Sequence, residues 1–250
     1  MSSSSQINEI PDNNLINGNK QYFESIASTY DANPVCVTIA QKCTKALLNE
    51  AEFDPEKSEV LDFACGTGLI SQEICAHVKT ILGVDATKGM VDLYNKKVWQ
   101  QGIDKEEMQA ICLELKESEG DQLNGRKFDF VVCASSYHHL EDINSTTKVL
   151  ANYLKPGGQL FVFDLKHDPK LAHKFFGQLS EHNHEHDHNI DNIISHKGGF
   201  NPTELEHALK STELLEDINI DVAFEYHKWD EKDKCEYVFE FLRVKGRRKY

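Results

Sequence analysis

Residues 60–71, VLDFACGTGLIS, run from a strand-like apolar stretch through an acid and a small-residue loop into a second apolar stretch with helical spacing. A glycine turn that opens a helix offers unpaired N–H groups and the positive end of the helix dipole. Either a pyrophosphate or an amino-acid carboxylate can use such a site. A dinucleotide fingerprint needs G-x-G-x-x-G/A. Gly66 and Gly68 fill its first two positions, but Ser71 holds the third. The pattern acid-x-G-x-G-x-G reads here Asp62-Phe63-Ala64-Cys65-Gly66-Thr67-Gly68, with Ala64 replacing the first glycine. A methyl group is tolerated at Ala64 on the condition that the backbone there is not left-handed.

An acid at the strand end hinders a pyrophosphate and suits an ammonium or sulfonium. Ligand charge therefore favours S-adenosylmethionine over NAD. In ILGVDAT (81–87) a second strand ends at Asp85, where a carboxylate can accept hydrogen bonds from both ribose hydroxyls. Dinucleotide sites place an acid similarly, so this feature alone does not discriminate.

Working outward, short apolar runs recur at 58–63, 80–84, 108–113, 128–133 and 159–164, separated by helix-length segments. FDFVVCAS (128–135) is apolar almost without a break, as a parallel strand covered on both faces requires. The ending differs. INIDVAFEY (218–226) and CEYVFEF (235–241) alternate apolar and polar residues and flank a polar turn around Asp230 to Asp233. The expected fold is α/β, a doubly wound, Rossmann-like sheet of five parallel strands plus a C-terminal antiparallel pair.

Ahead of the first strand, residues 1–18 are polar, aperiodic and Ser/Asn-rich, the composition of a disordered tail. Residues 19–55 read as an N-terminal helical cap: one helical pattern starts at Asn19, and another starts at Asn33-Pro34 and runs to about Ala51. The main domain spans 19–250, with a His-rich insertion at 166–200.

The chain carries 41 acidic against 27 basic residues, a formal charge of −14, which repels phosphate backbones and argues against nucleic acid as a partner. Seven cysteines without a Cys-x-x-Cys pair suit a reducing compartment. No apolar run approaches the roughly 20 residues of a membrane span, and no signal-peptide core is present. A cytoplasmic, soluble protein without a membrane partner is expected.

DFACGTG, GVDAT, FDFVVCASSYHHLED and LKPGGQLFVFDL follow one another in the order and spacing of a known family. The chain resembles class I S-adenosylmethionine-dependent methyltransferases, most closely the type 11 group of small-molecule enzymes and its fungal members, over roughly residues 20–245. The resemblance implies a seven-stranded sheet whose last strand is antiparallel, and S-adenosylmethionine as cofactor. It places the methionine portion against the loop from Asp62 through Ala64, Cys65 and Gly66 to Gly68. It puts the ribose on Asp85 with Ala86 beside the adenine, and Ala134 and Ser135 at the methionine end. It also implies an aromatic flap, Tyr22 or Tyr30. Glu114 is the nearest candidate for the adenine-side acid. The acceptor would be a small molecule, attacked at the sulfonium methyl group by direct displacement.

Three histidines are catalytic candidates. His138 and His139, in SSYHHLED (135–142), lie at the carboxyl end of the fourth strand, where a base can take a substrate proton. His196, in ISHKGGF (194–200), precedes a capping-box-like start at Asn201 to Glu204 and can face the same pocket. His182, His184, His186 and His188 alternate without turn or cysteine signals, so a solvated loop is the better reading and no metal site is assigned. Competing functions are a catalytically silent methyltransferase-like subunit, an NAD-dependent oxidoreductase and a metal-binding module on the His run.

Overall fold

The computed structural model describes residues 14–116, 120–176 and 193–250. The order is α1 (Asn14–Ile26), a 3₁₀ turn (Ala27–Ala32), α2 (Pro34–Leu48), β1 (Glu59–Phe63), α3 (Leu69–Ile74), β2 (Thr80–Asp85), α4 (Lys88–Gln100), β3 (Met108–Cys112), β4 (Phe128–Ala134), α5 (Ile143–Asn152), β5 (Leu154–Leu165), α6 (Ala172–Phe176), α7 (Pro202–Ser211), β6 (Leu215–Asp230) and β7 (Cys235–Arg248). The strands form one seven-stranded sheet in the order β3-β2-β1-β4-β5-β7-β6. β1 to β5 pair in parallel, and β7 runs antiparallel to both β5 and β6.

Neighbouring residues of the central strands are buried on opposite faces, which is what makes their sequences continuous apolar runs. Val60, Val132 and Phe161 pack with Ile39 and Leu47 of α2, Ile74 of α3 and Tyr94 of α4. Leu61, Val131 and Leu160 pack on the other side with Leu150 of α5 and Leu205 and Leu209 of α7. Each such side chain contributes about 1.5–3 kcal/mol when fully buried. β6 lies at the sheet edge and is buried only intermittently, which leaves Val222 and Trp229 exposed.

Local chemistry sets the element ends. Asn33 accepts the Val35 N–H with its side chain at 2.9 Å, and Pro34 opens α2. Asn201 and Glu204 form a capping box at α7. Three boundaries depart from the sequence reading. α1 begins at Asn14, so residues 14–18 belong to a helix and not to a disordered tail. β5 begins at Leu154, five residues early, because a register shift opposite β4 absorbs Pro156 and the two glycines that follow. α2 stops at Leu48, short of Ala51.

The 166–200 excursion is closed at its base. Lys166 bridges to Phe200, whose N–H donates to the Leu165 carbonyl at 2.8 Å. The four alternate histidines, His182 to His188, lie outside the described residues. Among the described residues no group of three or more His, Cys, Asp and Glu could hold a metal ion. None of their helices is long and apolar enough to cross a membrane.

Candidate active site

The sheet order reverses between β1 and β4, and ligands bind at the carboxyl ends of strands beside such a point. A cavity of about 950 Å3 opens there. The β1–α3 loop, the ends of β2, β4 and β5, α1, α2, α6 and Ile193 to Ile194 line it.

The glycine loop is built from left-handed residues. Ala64 has φ 54°, Gly66 51° and Gly68 85°. The condition set for Ala64 therefore fails, and an alanine occupies a backbone state that costs an L-residue roughly 1–2 kcal/mol. At Gly66 an added Cβ would meet nothing within 4 Å, so the loop faces open cavity. Gly68 does not line the cavity. It starts α3, and an added Cβ would lie 2.5 Å from the Tyr94 ring.

Asp62 is 2 % exposed and accepts the Ser71 hydroxyl at 2.6 Å. Burial, opposed by that hydrogen bond and assisted by the charge of Asp85, pushes its carboxyl up to about 7. A buried acid without a cation is the environment a positively charged ligand would relieve. Ser71, the residue that broke the dinucleotide fingerprint, is thus the partner of Asp62. Asp85 accepts the N–H of Gly66 at 2.9 Å and of Thr87 at 2.8 Å, which ties β2 to the glycine loop. Burial raises its carboxyl against the pull of these donors. Ala86 lines the cavity beside it, as do Cys65, Ala134 and Ser135.

The N-terminal cap closes the site from above. Tyr22 of α1 and Tyr30 of the 3₁₀ turn both line the cavity. Lys20 pairs with Glu114 at 2.7 Å and the Glu24 carboxylate accepts the Gly89 N–H at 2.9 Å, so α1 is fastened to the β2–β3 side. Asp31 joins the Thr67 hydroxyl of the glycine loop to Lys97 of α4.

His138 and His139 both line the cavity, but in different states. The Nδ1 of His138 lies 2.8 Å from Oδ1 of Asp164, a fully buried acid near the end of β5. The other oxygen of Asp164 accepts the His138 backbone N–H at 3.1 Å, and Leu165 N–H adds a third bond at 2.7 Å. Burial opposes ionisation of Asp164, yet the His138 charge and these donors together hold its carboxyl below the usual range. An ionised carboxylate can only accept, so Nδ1 of His138 carries a hydrogen, and in the neutral ring Nε2 is the nitrogen left with the lone pair. Burial, with the neighbouring His138, pushes His139 down to about 3, although its Nδ1 donates to the Ile193 carbonyl at 2.8 Å.

His196 is absent from the lining. Its ring packs on Phe200 at 4.6 Å, and its Nε2 is buried without a partner among the described residues. The N–H groups of Ser195 and His196 donate to the His138 carbonyl, so this segment holds the His138 turn through the main chain.

Residues 61–160 match the family described as a methyltransferase domain. An uncharacterized methyltransferase of Schizosaccharomyces pombe is 40% identical over 158 residues, 62% of this chain and 52% of that protein. A malonyl-(acyl-carrier protein) O-methyltransferase of Priestia megaterium is 27% identical over 145 residues, 56% of this chain and 48% of that one. The chain spans about half the length of these curated relatives. Among solved structures, magnesium protoporphyrin IX methyltransferase from Synechocystis, with bound S-adenosylhomocysteine, superposes with a TM-score of 0.61 at 15% identity, covering 95% of this chain and 100% of that one. Fold, the match over residues 61–160 and the relatives together support a class I S-adenosylmethionine-dependent methyltransferase domain.

Proposed function

We propose that this class I methyltransferase domain transfers the methyl group of S-adenosylmethionine to a small molecule held beside the end of β5. The observation that carries the reading is one continuous cavity with a buried acid bonded to a serine hydroxyl and an open glycine loop at one end and a His–Asp pair at the other. When bound, the cofactor supplies a sulfonium methyl that an acceptor attacks in line, the bonding pair remaining on sulfur.

The chain's own groups have distinct tasks. Asp62 offers negative charge to a cationic ligand, and its buried position makes that attraction stronger than in water. Asp85 has lone pairs left for ribose hydroxyls after binding Gly66 and Thr87 N–H. Tyr22 and Tyr30 exclude water over the cofactor. Nε2 of His138 takes the acceptor's proton, and Asp164 fixes the tautomer and stabilises the imidazolium that forms. His139 is too weak a base for this task and shapes the turn instead.

A thermal-shift screen with S-adenosylmethionine, S-adenosylhomocysteine and NAD tests the reading. The first two at 100 times their Kd should each stabilise by roughly 2.7 kcal/mol, and NAD should not. Stabilisation by NAD alone would replace methyl transfer with hydride transfer.

A further inference from the structure

The sheet order acts as a ruler along the cavity. The cofactor end lies over β2, β1 and β4, so the acceptor end lies over β5 and β7. Its walls are Val35 and Ile39 of α2, Phe175 and Phe176 of α6, Ile194, and Phe241 of β7, which pairs with Leu165. Phe176 stands 5.0 Å from the His138 ring, Phe175 5.1 Å from Phe176, and Phe241 5.7 Å from Phe175. The proton acceptor therefore sits at the edge of an aromatic wall.

Charge along this wall is accounted for. Among the described lining residues only Lys20 and Lys116 are Lys or Arg, and both pair with Glu114 at the β3 end. Of the lining carboxylates, Asp62 and Asp85 belong to the cofactor end, Asp142 accepts the Asn144 and Ser145 N–H groups at the start of α5, and Asp164 holds His138. Glu141 is exposed to solvent. Among the described residues, an anionic acceptor would be desolvated without a Lys or Arg counter-charge, a steep penalty, and for a cationic one every lining carboxylate except the solvent-exposed Glu141 is already engaged.

We infer that the acceptor is a neutral, flat, largely apolar molecule carrying a weakly acidic hydroxyl, and that the transfer is O-methylation. This rests on the methyltransferase reading above. The hydroxyl oxygen gains the methyl group, its proton passes to His138, and the sulfonium becomes a neutral thioether.

The test uses three probes with one ring system, 2-naphthol, 2-naphthoate and 2-naphthylmethylammonium, titrated calorimetrically into the full chain with and without S-adenosylhomocysteine. The naphthol should bind at least about tenfold more tightly than either charged probe. Phe176→Ala should weaken naphthol about tenfold while S-adenosylhomocysteine binds as before. Tighter or equal binding of a charged probe, or no binding of any probe, would overturn the inference. If Phe176→Ala fails to fold, the comparison of probes on the parent chain still decides. Loss of S-adenosylhomocysteine binding to the parent would instead overturn the cofactor reading, and the probe order would remain readable in the cofactor-free protein.

Discussion

At Ala64 the sequence and the backbone disagree. The family pattern has glycine where the chain needs φ 54°, and this protein has alanine there. Ala64→Gly should therefore stabilise the protein by about 1 kcal/mol despite the entropy of glycine. Urea unfolding of the pair checks this, and a destabilised variant would mean that the left-handed conformation is not adopted. The two adjacent histidines separate just as sharply. His138→Gln should cut turnover by about 10²–10⁴, whereas His139→Gln should cost less than about tenfold. Cofactor affinity, measured alongside, should move in neither variant; equal losses of turnover would remove the assignment of the base. The sequence placed both histidines at the right strand end but could not rank them. Asp164, which ranks them, is 26 residues away from His138 in the chain. The one signal was an acid inside the otherwise apolar LFVFDL, since a fully buried carboxylate requires a partner.

The glycine loop and α3 show how an element depends on a neighbour that its own residues do not reveal. Gly68 reads as a ligand-facing glycine but in fact starts α3 against Tyr94. Gly68→Ala combines a left-handed backbone with a clash, and should destabilise the chain by at least about 2 kcal/mol. Thermal melting checks the loss; a melting temperature equal to the parent's would return Gly68 to the ligand. The parallel strands were legible because both faces are buried, and the β6–β7 pair because each strand alternates. What stayed hidden was contextual. NLING at the start of α1 sets one good helix former, Leu15, among weak ones and owes its order to contacts such as Lys20 with Glu114 and Asn19 with the His139 carbonyl. The Pro and Gly residues of LKPGG (154–158) are turn formers, and β5 carries an irregularity there, which is why the apolar run shows only from 159.

Across the whole molecule, the buried acids couple stability to pH. Asp62 is raised from its ordinary value of 3.8 to about 7, so the folded state holds a proton that the unfolded chain has already lost. Its contribution is complete below about pH 4 and disappears as pH rises through about 7. Asp85 is raised as well and acts with the same sign. Asp164 is lowered, so its contribution is lost only on acidification below the usual carboxylate range. The cofactor-free protein should consequently lose stability between about pH 5 and pH 8, and Asp62→Asn should flatten that slope. Chemical unfolding across that window measures it, and an unchanged slope in the variant would deny Asp62 its raised value. The central claim, that this cavity is a cofactor site ordered along the strand ends, is tested most directly by calorimetric titration of S-adenosylmethionine into the parent chain and Asp85→Ala. The parent should bind at a single site, and the variant, still folded, should lose at least about 1.5–3 kcal/mol of binding energy as hydrogen bonds to a charged acceptor disappear. Equal affinity in the two proteins would contradict the account and put the ribose elsewhere.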